Sequence, residues 1–591
     1  MTDPIRLPYR RPNMPPMPSA GEQTGIDDRI RAEIERIWGF SNLRPLQATA
    51  IHAGIDGRDS LTVLPTGGGK SLCYQVPPLV TGKSTLVISP LIALMRDQVR
   101  ALELNGYDAA ALHSALAFGE ARDIERRFAE GETKLLFAAP ERAVTPGFSA
   151  LIAKLADRHQ LGAIAIDEAH CISQWGHDFR PEYRQLAQLR TIAPSVGLQA
   201  FTATATPRVR QDIIDQLGLR DPEVLVGIFD RPNLTYRVRQ RKRAAEQCAA
   251  AINDMTTRGE PGGVIIYCLS RKNTEQLAAE LRAMQLDADA YHAGMDKRDR
   301  HEVEERFTNE QLDIVVATVA FGMGIDRSNV RLVIHACMPK SVEAYQQETG
   351  RAGRDGLPAE CLLLYGPGDA PRWSDLITKN AGDLDQTARQ AVQAQLDLLS
   401  EMQRLATSLT CRHKQLSEHF GQAYEKADCG ACDVCLGETE GEEDSTRIAQ
   451  ILMSCIARTG QSFGASHIAD IARGAETERI TNRRHHELAV FGMLRDRTKR
   501  DIRSMLDQLV AAGALVQGEF RALQFGPRGA AIMKGEEAVK LARPMGGKTA
   551  PTDSRAPARP LAPGDRDLFE RLRALRKRIA EERMVPPYVV F

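Results

Sequence analysis

Residues 164–183 read Ile-Ala-Ile-Asp-Glu-Ala-His-Cys-Ile-Ser-Gln-Trp-Gly-His-Asp-Phe-Arg-Pro-Glu-Tyr. The apolar run from Ala163 to Ile166 predicts a buried strand of a parallel sheet. That strand delivers two adjacent carboxylates, Asp167 and Glu168, to its carboxyl end, where such sheets bind ligands. One carboxylate there can hold Mg²⁺ on a nucleotide, and a second can orient the attacking water. Trp175, His177, Phe179 and Tyr183 follow at once, with Arg180 among them, in a chain only 5% aromatic overall. Bases stack on such rings, and a nearby arginine pairs with phosphate. Asp-Glu pairs are common, however, and clustered rings also serve plain packing, so the flanking sequence has to decide.

Upstream, Ser60 to Val63 predicts a strand, followed by Leu64-Pro65-Thr66-Gly67-Gly68-Gly69-Lys70-Ser71 and a helix. Successive glycines let backbone N–H groups curl around phosphate oxygens, and the helix N-terminus adds its dipole. In that arrangement Lys70 reaches the β- and γ-phosphates and the Ser71 hydroxyl ligates Mg²⁺. The strict pattern has Gly where Leu64 stands, so the loop is a variant. Further upstream, Trp38-Gly39-Phe40 and Leu43-Arg44-Pro45-Leu46-Gln47 end a helical pattern. With a phosphate loop nearby, Gln47 suits an adenine edge, and Phe40 and Arg44 suit the faces of its ring.

Downstream, strands alternate with helices: Ser84 to Ser89, Lys134 to Ala138, and Gln199 to Phe201 leading into Thr202-Ala203-Thr204-Ala205-Thr206. Alternation of this kind marks a doubly wound α/β block. A second such block follows Phe229-Asp230-Arg231-Pro232-Asn233, with strands at 263–267, 288–291, 314–317, 332–335 and 360–365. It has no Gly-Lys-Ser loop. It carries Gln347-Glu348-Thr349-Gly350-Arg351-Ala352-Gly353-Arg354-Asp355-Gly356 instead. Arg351 and Arg354, at a Gly-marked helix boundary, read as positive charge delivered to a γ-phosphoryl group bound by the other block.

At 591 residues the chain exceeds one core. Lys+Arg and Asp+Glu both number 77, so bulk charge gives no argument for nucleic acid and any basic surface is local. No apolar run approaches a membrane span and no secretory pattern opens the chain. Seven of the eleven cysteines are scattered, which suits a reducing compartment. The other four, Cys411, Cys429, Cys432 and Cys435, predict a closed tetrahedral Zn²⁺ site of structural type. His413 and His419 are the alternative ligands. Residues 445–540 fit a winged helix. Ile502, Met505, Leu506, Leu509 and Val510 line one helix face, and Ala514 to Phe525 forms the wing. Arg483, Arg484, Arg495, Arg497, Lys499 and Arg500 supply local positive charge there, with phosphate contact expected of Arg495 and Arg497. Pro544 to Pro563 reads as a linker. An amphipathic helix then opens at Asp567 with Leu568, Leu572, Leu575 and Ile579 on one face.

Together, 64–75, Asp167-Glu168-Ala169-His170 with its aromatic tail, and 347–356 resemble the superfamily 2 helicases, and among them the RecQ DNA helicases. The similarity covers roughly residues 28–540 in family order. It implies two RecA-like parallel-sheet lobes followed by a zinc-binding helical subdomain and a winged helix. It also implies ATP-dependent 3′-to-5′ unwinding of tailed or forked duplex DNA, with single-stranded DNA as the track, in repair and recombination. On this resemblance Phe40, Arg44 and Gln47 form the adenine site. Thr66, Gly67, Gly68, Gly69, Lys70, Ser71 and Asp167 form the phosphate–Mg²⁺ site, and Glu168 orients water. His170, Trp175, His177, Phe179 and Arg180 couple to DNA, and Arg354, with Arg351 beside it, is the arginine finger. Relatives usually have Arg at His413 and aromatic or apolar residues near His419, and many have Pro at Ser328, after the motif from Ala320 to Asp326. The last helix is similar to the start of a helicase-and-RNaseD C-terminal (HRDC) domain.

The expected layout is a flexible arm (1–25), lobe 1 (26–226), lobe 2 (227–368), a zinc subdomain (369–440), a winged helix (441–540), a linker (541–565) and a partial HRDC-like segment (566–591). A cytoplasmic, nucleoid-associated location and a single-strand-binding protein as partner complete the expectations. Two rivals stay open: an RNA helicase or non-unwinding translocase, and a zinc-containing DNA-binding regulator with a vestigial ATPase.

Overall fold

The computed structural model describes residues 20–322, 327–379, 386–518, 521–544, 563–583 and 590. Most of the expected arm, Met323 to Asp326, two residues of the wing tip, nearly all of the linker and most of the last eight residues lie outside them.

Lobe 1 is a seven-stranded parallel sheet built from β1 (Ser60–Val63), β2 (Ser84–Ile88), β3 (Ala109–Leu112), β4 (Leu135–Ala138), β5 (Leu161–Ile166), β6 (Gly197–Thr202) and β7 (Glu223–Val226). Their order is β3-β4-β2-β5-β6-β1-β7. Alternate residues face opposite layers. Ile164 and Ile166 join one apolar core and Ala165 the other, which is why the strand reads as continuously apolar. β1 and β5 flank β6, so the phosphate loop after β1 and the carboxylates after β5 emerge on the same sheet edge.

Lobe 2 repeats the design with β8 (Leu234–Gln240), β9 (Gly263–Tyr267), β10 (Ala288–Tyr291), β11 (Ile314–Ala317), β12 (Val330–His335) and β13 (Ala359–Tyr365), in the order β10-β11-β9-β12-β13-β8. The edge strand β8 is capped from outside. Tyr236 N–H donates to Ala431 O at 3.0 Å, and Asp433 N–H donates to Tyr236 O at 2.9 Å. A paired edge offers no template to another chain.

The helix Gln386–Thr407 lays Leu399, Met402, Leu405 and Ala406 on the lobe-2 core, which also takes in Cys411, Leu416 and Cys432. The cysteine-bearing module therefore has no core of its own. Residues 448–541 do have one, formed by Ile448, Leu452, Ile468, Ile502, Leu506 and Leu523. The helix Lys499–Ala511 buries the predicted face except for Val510, which is half-buried; Gly513 (φ 72°) follows it, and the strands Leu515–Gln517 and Leu523–Phe525 pair antiparallel as the wing.

Five strands are not foreseen from the sequence: β3, β7 and β8, and the antiparallel pair Thr439–Gly441 and Ala542–Pro544, whose second member lies in the expected linker. β3 is mostly alanine, and β7 and β8 have half-exposed polar positions, so neither gives a sustained apolar run. The last helix, Pro563–Arg583, starts four residues before the expected Asp567. Of the expected apolar face, Leu568 and Leu572 are exposed while Leu575 and Ile579 are half-buried. Arg573 Nη2 donates to Glu310 at 2.9 Å and Arg576 Nη2 lies 3.5 Å from the same carboxylate. One helix has too little apolar surface to form a core alone, and a buried lobe-2 carboxylate is the partner it finds.

Candidate active site

The phosphate loop is shaped by its glycines. Gly67 and Gly69 take φ values of 80° and 77°, a region that only glycine enters freely. A Cβ on Gly69 would overlap Gln47 Nε2. Gln47 is buried and fixes this corner, donating from Nε2 to Gly69 O at 3.0 Å and accepting from Arg44 N–H at 2.6 Å. Arg44 donates to Gly67 O, and Lys70 Nζ to Leu64 O at 3.1 Å. The loop and its three candidate adenine residues, Phe40, Arg44 and Gln47, line one cavity of about 860 Å³. Thr66, Gly67, Gly69, Lys70, Ser71, Asp167, Glu168, Arg351 and Arg354 line it too, as does Ser328.

Asp167 and Glu168 sit where β5 ends. Glu168 adopts a left-handed conformation (φ 48°, ψ 43°), a strained placement of the kind that persists where the surroundings over-determine it. Burial and the Glu168 charge push Asp167 up to about 7. Glu168 moves the opposite way, to about 2, because His170 and Lys70 outweigh its burial. Two carboxylates this close divide their charge unless a cation arrives, so the pair suits Mg²⁺. Glu168 Oε2 is buried and accepts no aligned hydrogen bond. His170 Nδ1 lies 3.2 Å from it but is directed at Thr202 Oγ1, 2.9 Å away.

Lobe 2 closes the cavity. A Cβ on Gly350 would lie 3.2 Å from Thr66 Cβ, and one on Gly67 would lie 3.8 Å from Arg354 Cγ. Gln347 Nε2 reaches 3.5 Å from Thr204 Oγ1 of lobe 1. The loop carrying both arginines is held by the segment between the lobes. Arg231 donates to the carbonyls of Gly350 (3.1 Å), Ala352 (2.9 Å) and Gly353 (2.7 Å), and Asn233 donates to Gly353 O and Leu357 O at 3.0 Å each. No role for Arg231 and Asn233 is foreseen from the sequence, where the only signal is Arg and Asn flanking a proline, side chains able to satisfy loop carbonyls.

The aromatic stretch folds back on lobe 1. Arg208 covers the Trp175 ring at 3.3 Å and Arg184 covers Phe179 at 5.2 Å. His177 stacks on His170, with centroids 4.5 Å apart and planes 13° apart. Arg180 pairs with Asp178 at 3.1 Å and donates to Pro90 O at 3.2 Å. His177 thus joins this stretch to His170, which lies beside Glu168, while arginines cover one face each of Trp175 and Phe179.

Cys411, Cys429, Cys432 and Cys435 place their sulfurs within 4.8 Å of one another. Ala431 N–H donates to Cys429 Sγ (3.3 Å) and Cys435 N–H to Cys432 Sγ (3.4 Å). Hydrogen bonds among the thiols push Cys432 down and Cys429 up, so the charge gathers on Cys432. A close set of sulfurs backed by N–H donors fits tetrahedral Zn²⁺. His413 and His419 are not alternative ligands: His413 bonds Asp230 (2.7 Å) and Leu234 O (3.1 Å), and His419 bonds Glu343 (2.9 Å).

The winged-helix arginines differ from expectation. Arg497 is turned onto the buried Glu442 and onto Asp496, because a carboxylate so enclosed requires a cation. Arg495 Nε donates to Gly492 O at 3.1 Å, and Lys499 pairs with Asp470 at 2.5 Å. Much of this charge holds the module together.

Two parallel-sheet lobes closing on one phosphate loop, with arginines supplied across the cleft, define a two-lobed nucleotide-dependent motor ATPase. Residues 44–213 match the DEAD/DEAH box helicase model and 247–356 the helicase conserved C-terminal domain. Residues 367–436 match the RecQ zinc-binding model and 439–549 the RQC domain. The chain is 41% identical to the ATP-dependent DNA helicase RecQ of Haemophilus influenzae over 561 residues, covering 94% of this chain and 88% of that one. It is 36% identical to the protein of that name from Bacillus subtilis over 568 residues, covering 95% and 91%. The chain belongs to the RecQ family of ATP-dependent DNA helicases. ATP, Mg²⁺ and Zn²⁺ are its cofactors and DNA its substrate. Among the described residues no helix is long and apolar enough to cross a membrane.

Proposed function

We propose that this chain moves 3′-to-5′ along single-stranded DNA by cycles of cleft closure, while the wing opens tailed or forked duplex ahead, in repair and recombination. The observation that carries the reading is the shared path from the cleft to the aromatic stretch: Glu168, His170 and His177 lie in sequence on one loop and in contact. In this reading Phe40, Arg44 and Gln47 hold adenine, Thr66 to Ser71 cradle the phosphates, and Glu168 orients the attacking water. Arg354, with Arg351 beside it, meets the γ-phosphoryl group. Ser71 and Asp167 would hold Mg²⁺, which neutralises charge on the phosphate oxygens when bound. Cys411, Cys429, Cys432 and Cys435 would hold Zn²⁺. Bases displace Arg208 and Arg184 from the faces of Trp175 and Phe179, which shifts His177 against His170 and so repositions Glu168. A single-strand-binding protein is the partner class that suits a single-stranded product. The cytoplasm suits a chain whose cysteines carry no disulfide.

The combined Trp175→Ala, Phe179→Ala protein tests this reading. Losing both stacking faces is expected to cut the ratio of DNA-stimulated to unstimulated ATP turnover by about ten-fold or more, measured as phosphate release with oligo(dT). An unchanged ratio would refute the coupling.

A further inference from the structure

A buried ion pair joins lobe 2 to the zinc module. Glu343 stands on the lobe-2 helix Val342–Thr349, and its charge and that of Lys340 are felt at His177. Glu343 is enclosed: Oε1 lies 2.9 Å from His419 Nε2, and Oε2 is buried and accepts no hydrogen bond. His419 in turn places Nδ1 3.2 Å from Glu401 Oε2, on the helix Gln386–Thr407. We propose that Glu343 and His419 are positioning residues, a clasp that ties lobe 2 to a zinc module seated on lobe 1 and so fixes how the two lobes meet. DNA at the aromatic stretch then activates Glu168 only while the clasp is closed.

The elements around the clasp support this. His419 ends the helix Arg412–His419, and that short helix touches all three bodies. His413 bonds Asp230 in the segment between the lobes. Phe420 stacks on Phe229 with centroids 4.1 Å and planes 8° apart, and belongs to the lobe-1 core. Arg210 of lobe 1 donates to Phe420 O at 2.9 Å, and Gln422 donates to Gly227 O at 2.8 Å. At its other end the helix Val342–Thr349 runs directly into Gly350 to Arg354, so a shift at Glu343 is carried to the cleft arginines by a rigid element. Hydrogen bonds to Glu343 and Glu401 overcome burial and push His419 up to about 9, while His419 and His177 hold Glu343 down to about 2. At neutral pH the clasp is therefore an ion pair that a neutral aromatic side chain cannot replace. A buried pair of this kind fixes geometry more than it adds stability.

This inference rests on the aromatic stretch being the DNA sensor, and the test separates the two. Full-length, zinc-loaded wild type, Glu343→Gln, His419→Phe and His419→Arg are compared for ATP turnover, KM for ATP, oligo(dT) affinity and zinc content. His419→Phe and Glu343→Gln are expected to keep unstimulated turnover, KM and zinc, and to lose DNA-stimulated kcat by roughly ten-fold. His419→Arg, which can bridge both carboxylates, is expected to recover most of it. Wild-type stimulation in His419→Phe overturns the clasp alone, as does failure of His419→Arg to exceed His419→Phe. Absence of stimulation in the wild type overturns the clasp together with the sensor.

Discussion

Arg354→Ala is expected to lower DNA-stimulated kcat for ATP by about 10³-fold while leaving single-stranded DNA affinity within about a factor of three, since a finger acts on transition-state charge. Arg354 reaches the cavity from lobe 2 and its side chain passes beside Gly67 of the phosphate loop. The loop that carries it is held by Arg231 and Asn233, so truncating its side chain leaves the backbone anchored. In the proposed reading lobe 1 alone holds the phosphates before and after hydrolysis, through Lys70 directly and through Asp167 by way of Mg²⁺. Only the guanidinium arriving from across the cleft is specific to the closed state, and charge aimed at a transition state acts on kcat more than on KM. Rapid-quench or phosphate-release kinetics at saturating ATP measure this. A loss smaller than ten-fold, or a rise in KM with kcat intact, would remove Arg354 from the γ-phosphoryl group.

The second large effect concerns the cysteine cluster. Cys432→Ser is expected to abolish stoichiometric zinc and to lower the melting transition by about 10 °C or more, because a structural site's metal-binding free energy is folding free energy. Cys432 is buried in the lobe-2 core, and the residues on either side of it are the ones that pair with β8. The damage should therefore spread: β8 loses its outer partner, and the helix that meets both lobes loses its anchor at Cys411. Metal analysis with differential scanning calorimetry checks both halves. Retention of zinc and of the wild-type transition would mean the four sulfurs are not its ligands.

The sequence was most legible where a local pattern has one physical use. Three glycines before Lys70 and Ser71, an apolar strand ending in Asp167 and Glu168, and two-residue spacings among cysteines each specify a geometry with few alternatives. What stayed hidden is long-range and polar. Glu343 and His419 are 76 residues apart in the chain, and neither lies in a pattern that predicts the other. His413 and Asp230 meet only because the zinc module wraps the segment between the lobes. Arg497 was hidden for the same reason: a basic run announces charge, but whether a buried partner such as Glu442 absorbs it is decided by tertiary packing. The half-buried rings of Trp175 and Phe179 fall between these cases: their clustering after Asp167 is plain in the sequence, yet no local signal showed that Arg208 and Arg184 would cover them.

The account's central claim is that ATP hydrolysed between the lobes drives directional movement along one DNA strand. Unwinding of a 3′-tailed and a 5′-tailed duplex, followed with ATP turnover in the same reaction, tests it most directly. The expected result is strand separation of the 3′-tailed substrate alone, only with hydrolysable ATP, and with turnover that rises when DNA is added. Equal separation of both substrates, or separation of the 3′-tailed one without hydrolysis, would contradict it.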